Sequence, residues 1–206
     1  MSDSDEGILF AVKPITVFDC MTFLQATARP DGPAAACLRL VEEGRATLVV
    51  SEDILREVGE VLGRPKVRRK NPRLTDESVQ AFLGQVRKLS PLRGNVPAAF
   101  RYTRDPKDEP YLNLAIYAKA AFIVTRDKDL LDLMDEGNAD GKEFRTLVPS
   151  IQVLRPPDFL REIRSSEARK EASTANSLAS GSDFEAPQND SGAPPSNPPG
   201  SEPNLP

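Results

Sequence analysis

Four short apolar runs, ITVFD at 15–19, ATLVV at 46–50, AFIVT at 121–125 and IQVL at 151–154, limit this chain to few folds. Each is rich in β-branched residues and too short for a helix, so each reads as a buried strand. Between them lie segments of helical spacing. After punctuation by Pro30, Gly32 and Pro33, AAACLRLVEEG suits a helix closed by Gly44. Ser51, followed by Glu52 and Asp53, opens a second helix, with Ile54, Leu55, Val58, Val61 and Leu62 spaced by three and four. It should stop at Gly63 to Pro65. A third helix starts at Thr75 and puts Val79, Phe82, Leu83, Val86 and Leu89 on one face. Residues 90–108 read as a Pro- and Arg-rich loop, EPYLNLAIYAKA at 109–120 as a helix, and PPDFLREI as a closing helix with proline at its start. Short apolar strands alternating with helices predict an α/β fold. The expected architecture is a three-layer α/β/α sandwich around a central, mostly parallel sheet.

Composition sets the expected boundaries. Residues 165–206 carry 7 of the 19 prolines and few large apolar side chains, so they cannot bury enough surface to offset their ordering entropy. They read as a disordered, acidic tail behind a domain at 15–164, with a leader at 1–14. The tail takes six of the 31 acids and two of the 27 bases, leaving residues 1–164 neutral with 25 of each. The opening MSDSDEGILFAV lacks the basic flank of a secretory signal, and no run of eighteen apolar residues suggests a membrane span. Cys20 and Cys37 fall in no metal-ligand spacing and read as reduced thiols, which suits a cytoplasmic protein. The chain has no histidine. Serine and cysteine triads that use histidine, and histidine-held zinc, are therefore excluded.

Ligands of open parallel sheets bind beyond the carboxyl ends of the strands, so the acids there matter most. Asp19 ends the first strand, and Asp127 and Asp129 follow the third. Asp105 and Asp108, in RDPKDEP, lead into the helix before that third strand, and Glu57 borders the apolar stripe of the second helix. Taken singly, such acids are ordinarily caps or turn formers, and Asp105 before Pro106 is the plainest case. Taken together, they suit a hard cation such as Mg²⁺ or Mn²⁺, which prefers oxygen ligands and relieves the repulsion of clustered carboxylates.

Three stretches, ITVFDCMTF, SEDILREVGEVLGRPKV and TRDPKDEPYLNLAIYAKAAFIVTRDKDLLDL, together resemble a PIN-domain protein of the group that forms the toxin components of toxin–antitoxin systems. The third is the most specific, with DPxDxPxLxLA ahead of a strand and TxDxDLL. The resemblance covers residues 15 to about 160. It implies a parallel sheet between helices and metal-dependent cleavage of RNA. It also implies catalytic and metal-holding roles for Asp19, Glu57, Asp108 and Asp127, with Asp129 as a further ligand. Thr125 matches the small hydroxyl residue before the last acid. One position departs from the pattern. The family usually places asparagine two residues after its first aspartate, and here that residue is Met21, a far weaker hydrogen-bonding group.

RPKVRRKNPR at 64–73 holds six bases in ten residues. Arg64, Lys66, Arg68, Arg69, Lys70 and Arg73 could grip a nucleic-acid backbone or simply form a solvated linker. Arg101, Arg104 and Arg126 could position phosphate or pair with the neighbouring acids. The function expected is therefore a Mg²⁺- or Mn²⁺-dependent endoribonuclease acting on single-stranded RNA. It would be the toxin of a type II pair, with RNA and a cognate antitoxin as partners and a homodimer as a further option. The alternative, motivated by Met21, is a catalytically weakened PIN-like interaction module. Phosphoryl transfer through Asp19 fits poorly, because the haloacid-dehalogenase pattern needs a second aspartate where Met21 stands.

Overall fold

Strand β1 (Ile15–Phe18) is an interior strand of a four-stranded sheet in which every pairing is parallel. The structure, a computed structural model, describes residues 13–179. On one side of β1 lies β2 (Thr47–Leu48), and on the other β5 (Phe122–Val124) and then β6 (Gln152–Leu154). The register sets Thr16 beside Leu48 and Phe122, and Phe18 beside Val124. Val49 separates β2 from β3 (Val50–Ser51), which pairs in parallel with β4 (Leu92–Arg93) away from the main sheet.

The helices cover both faces of this sheet, for a topological reason. From β1 the chain crosses to β2 through α1 (Cys20–Ala28) and α2 (Pro33–Glu42). It returns past β1 to β5 through α3 (Glu52–Gly63), α4 (Pro65–Lys70), α5 (Asp76–Leu89) and α6 (Glu109–Tyr117). Crossovers between parallel strands are right-handed, so connections running in opposite directions lie on opposite faces. Side-chain packing agrees. Phe18 and Phe122 share one face and both meet Phe159 of α9 (Pro156–Ala179), while Phe18 also meets Phe23 of α1. α6 packs on β1 and β5 with Leu112, Leu114 and Ala115 fully buried. Each such leucine contributes roughly 1.5–3 kcal/mol by leaving water. α7 (Lys128–Leu131), a 3-10 turn at Asp132–Met134 and α8 (Ala139–Leu147) complete the path to β6.

Several helix starts follow the sequence closely. Ser51 caps α3 by accepting from the Ile54 N–H at 3.2 Å, Thr75 caps α5 through Ser78 at 3.2 Å, and Gly44 closes α2 at φ +69°. Others differ from expectation. α1 begins immediately after β1 with no intervening loop, in a stretch where the sequence predicts no element. The basic run 64–73, read as a connecting segment, is helical over α4. Residues 90–108 are more than a surface loop, because Phe100 and Tyr102 are buried and Phe100 packs on Phe144 of α8 at 5.3 Å. α9 passes the expected domain end at Arg164 and continues to Ala179. The rest of the expected tail, 180–206, and most of the leader, 1–12, lie outside the described residues. Chain contacts divide into units ending and beginning at Ala168 and Arg169, and the sheet and the site belong to the first. Among the described residues, no helix is long and apolar enough to cross a membrane.

Candidate active site

The connection after β1 leaves in one direction and the connection after β5 in the other, so a crevice opens beyond their adjacent carboxyl ends. Asp19 stands there, directly after β1, with its N–H donating to the Val124 carbonyl at 3.2 Å. It is 4% exposed, and both carboxylate oxygens are engaged. Oδ1 accepts from the Thr22 N–H at 2.6 Å, capping α1, and Oδ2 accepts from the Thr125 hydroxyl. Thr125, fully buried, accepts in turn from the Asp127 N–H at 2.8 Å. Asp127 Oδ1 accepts from the Asp129 N–H at 2.9 Å and so caps α7. Thr22 ties the cluster back to the sheet by donating its hydroxyl to the Val124 carbonyl at 3.0 Å. Burial pushes the Asp19 carboxyl above its ordinary value and the Asp127 charge adds to that, while the Thr125 and Thr22 bonds oppose it.

Asp108 is held differently. It precedes α6 but makes no side-chain cap bond, and its Oδ2 is buried with no hydrogen-bond partner. Its carboxyl is pushed up to about 7, first by burial and then by the charges of Asp127, Asp105, Asp19 and Asp129. Asp105 itself forms a turn, accepting from the Lys107 N–H at 3.0 Å. Three residues beyond Asp108, and so on the same side of α6, buried Tyr111 donates its hydroxyl to Glu57 Oε2 at 2.7 Å. Cys20, buried and pushed up to about 12, feels the charges of both Glu57 and Asp19.

The fold thus brings Asp19, Asp108, Asp127 and Thr125 to one crevice, with Glu57 fixed at its border by Tyr111. Asp129 and Arg104 are tied up elsewhere. Arg104 pairs with Asp129 at 2.5 Å and Asp132 at 3.1 Å, so of its two expected uses, phosphate or acids, it takes the acids. Tyr102 donates to the Asp129 carbonyl at 2.8 Å, fixing that turn. In the basic run, Arg68 pairs with Asp76, whereas Arg64, Lys66, Arg69, Lys70 and Arg73 are exposed. Arg64 is close enough for its charge to act on the Cys20 thiol. Arg126 donates to Gln25 Oε1 at 3.0 Å, and Arg101 lines a separate groove with Lys142 and Leu147. Thr22 and Tyr111 were not among the expected site residues. Only the three-residue step from Asp108 to Tyr111 signals one of them.

Among the described residues, no group of three acid or thiol side chains is drawn up to hold a metal ion. The donors nevertheless fit a hard divalent cation, being all oxygen, crowded with like charge, and including the unpartnered Oδ2 of Asp108. Residues 16–129, more than half of the chain and every acid of the crevice, match the PIN domain. The chain belongs to the PIN-domain family. PIN domains are generally metal-dependent nucleases, and the parallel pairing of β1 with β5 is what brings this one's Asp19 beside Thr125 and Asp127. The uncharacterized protein MJ1680 of Methanocaldococcus jannaschii is 30% identical over 152 residues, covering 73% of this chain and 92% of that protein. No solved structure matches the chain.

Proposed function

We propose that this PIN domain is a metal-dependent endoribonuclease that cuts single-stranded RNA, serving in the cytoplasm as the toxin of a type II toxin–antitoxin pair. The observation that carries the nuclease reading is the Asp108 carboxylate. Its Oδ2 is buried without a partner and faces the charges of four other aspartates, an arrangement that a bound cation relieves. Asp19, Asp108 and Asp127 would hold Mg²⁺ or Mn²⁺, with Glu57 at the border and Asp129 available once released from Arg104. Such a cation supplies charge neutralisation at the phosphodiester and acidifies water. The chain's own residues do the rest. Thr125 fixes Asp19 and Asp127 relative to one another, Tyr111 orients Glu57, and burial keeps Asp19 itself in a medium of low polarity. The toxin role rests on the resemblance of the three motif stretches, and an antitoxin encoded beside this chain would support it.

Cleavage of a labelled single-stranded RNA by the purified protein in Mn²⁺ tests the reading, and Asp108→Asn should abolish it. Equal activity in that variant would sink the assignment. A second reading is favoured by Met21, which is 41% exposed where the family usually has asparagine. In that reading the domain binds rather than cuts. Met21→Asn separates the two: a large gain in cleavage shows a weakened nuclease, and no cleavage in either form shows a binding module.

A further inference from the structure

On one flank of the acids lies a cleft of about 640 Å³, lined by Met21, Gln25, Arg29, Arg126, Asp127 and Lys128. Among the described residues, Arg29, Arg126 and Lys128 are exposed and form no ion pair, although Arg126 is held over α1 by its bond to Gln25. A second cleft, about 220 Å³, starts from Thr27, Ala28 and Pro30 and reaches Lys70, Asn71, Pro72 and Arg73 at the end of α4. Arg29 lies between Ala28 and Pro30, so the two clefts meet at the last turn of α1. That nine-residue helix is about 13 Å long, and its Met21 and Gln25, with Arg29 at its end, all line the first cleft. Arg104 is different in kind, since it is consumed by Asp129 and Asp132.

Five unpaired cations along one path repel each other, and a polyanion that follows the path relieves this while releasing its own counterions. We infer that a single strand of RNA leaves the acids over Arg126 and Lys128, crosses the end of α1 at Arg29 and reaches Lys70 and Arg73 at and just beyond the end of α4. This rests on the nuclease reading of the adjoining acids. Met21 then has a positive role. Its exposed thioether forms a soft, polarizable floor against which a base packs. Neither cleft is lined by an aromatic side chain, so the grip is on the backbone, tolerant of sequence and sensitive to salt. The path also assigns the basic run 64–73 a selective use, in which Lys70 and Arg73 contact RNA while Arg68 remains paired with Asp76.

Binding of a fluorescein-labelled single-stranded RNA to the full chain in EDTA, read by anisotropy, tests this without cleavage. Arg29→Glu should weaken binding at least tenfold, as should Lys70→Glu combined with Arg73→Glu. Each cation removed should lower the slope of log K against log salt by about 0.7. Met21→Asn should weaken binding less and leave the slope unchanged. Lys88→Glu, exposed on α5 and lining neither cleft, should bind as the parent does. Parent-like affinity in the Arg29 and Lys70/Arg73 variants would overturn the path, as would an absence of RNA binding by the parent. Binding that follows the path while Mn²⁺ brings no cleavage would refute the nuclease reading alone.

Discussion

Asp19 and Asp108 are both acids of one crevice, yet the protein treats them oppositely. Asp19 uses both oxygens to hold the structure together, through Thr22 and Thr125. Asp108 leaves Oδ2 buried and unbonded. A buried polar atom without a partner costs about 1–3 kcal/mol, so a chain that retains one sacrifices stability at that point. The contrast separates two kinds of acid: one whose oxygens build the crevice and one whose buried oxygen is left without a partner.

Four experiments test this contrast. The largest effect is on cleavage, which Asp108→Asn should reduce by orders of magnitude in Mn²⁺ while the fold stays intact by circular dichroism. Next comes the structural side. Thr125→Val is close to isosteric but strands Asp19 Oδ2 and the Asp127 N–H, and should cost about 1–3 kcal/mol in urea unfolding; an unchanged midpoint would mean that this network is not holding β1 to β5. Third is pH. Asp108 rises from 3.8 to about 7 on folding, so its stabilising contribution is complete below the unfolded value and is lost as pH climbs through about 7. Metal-free parent protein should therefore melt at lower temperature at pH 8 than at pH 5.5, and Asp108→Asn should flatten that slope. Added Mn²⁺ should raise the melting temperature more at pH 8, because only ionised carboxylates take the ion. The smallest effect belongs to Arg104→Ala. Its pairs with Asp129 and Asp132 are more than a third exposed on the arginine side, so the loss should stay within ~1 kcal/mol.

Much of the fold was legible because buried parallel strands announce themselves as short apolar runs, and the four main strands fall where those runs lie. The strand-end acids followed from the same logic. α1 was hidden because Asp19 serves as strand end and helix cap at once, leaving no turn signal, and CMTFLQATA has little helical periodicity. α4 was hidden because six residues with one large apolar side chain, Val67, resemble a solvated linker. Partners far apart in sequence were beyond reach. Nothing near Arg104 reveals that it would face Asp129 and Asp132, nor could Tyr111 be matched to Glu57, 54 positions away. The burial of Phe100 and Tyr102 is of the same kind: the sequence around them reads as a loop, and only α8 and Asn113, which accepts from the Ala99 and Phe100 N–H groups, give them a core.

The bond from Thr125 to Asp19 spans 106 positions of chain. Contacts of such separation form only after the intervening loop has closed, which makes them late events in folding. During synthesis, a nascent chain that has not yet exposed β5 has Asp19 but neither Thr125 nor Asp127 beside it. The crevice therefore cannot be assembled before β5 has emerged, and a copy that ends ahead of Thr125 lacks the hydroxyl that ties Asp19 to the Asp127 N–H.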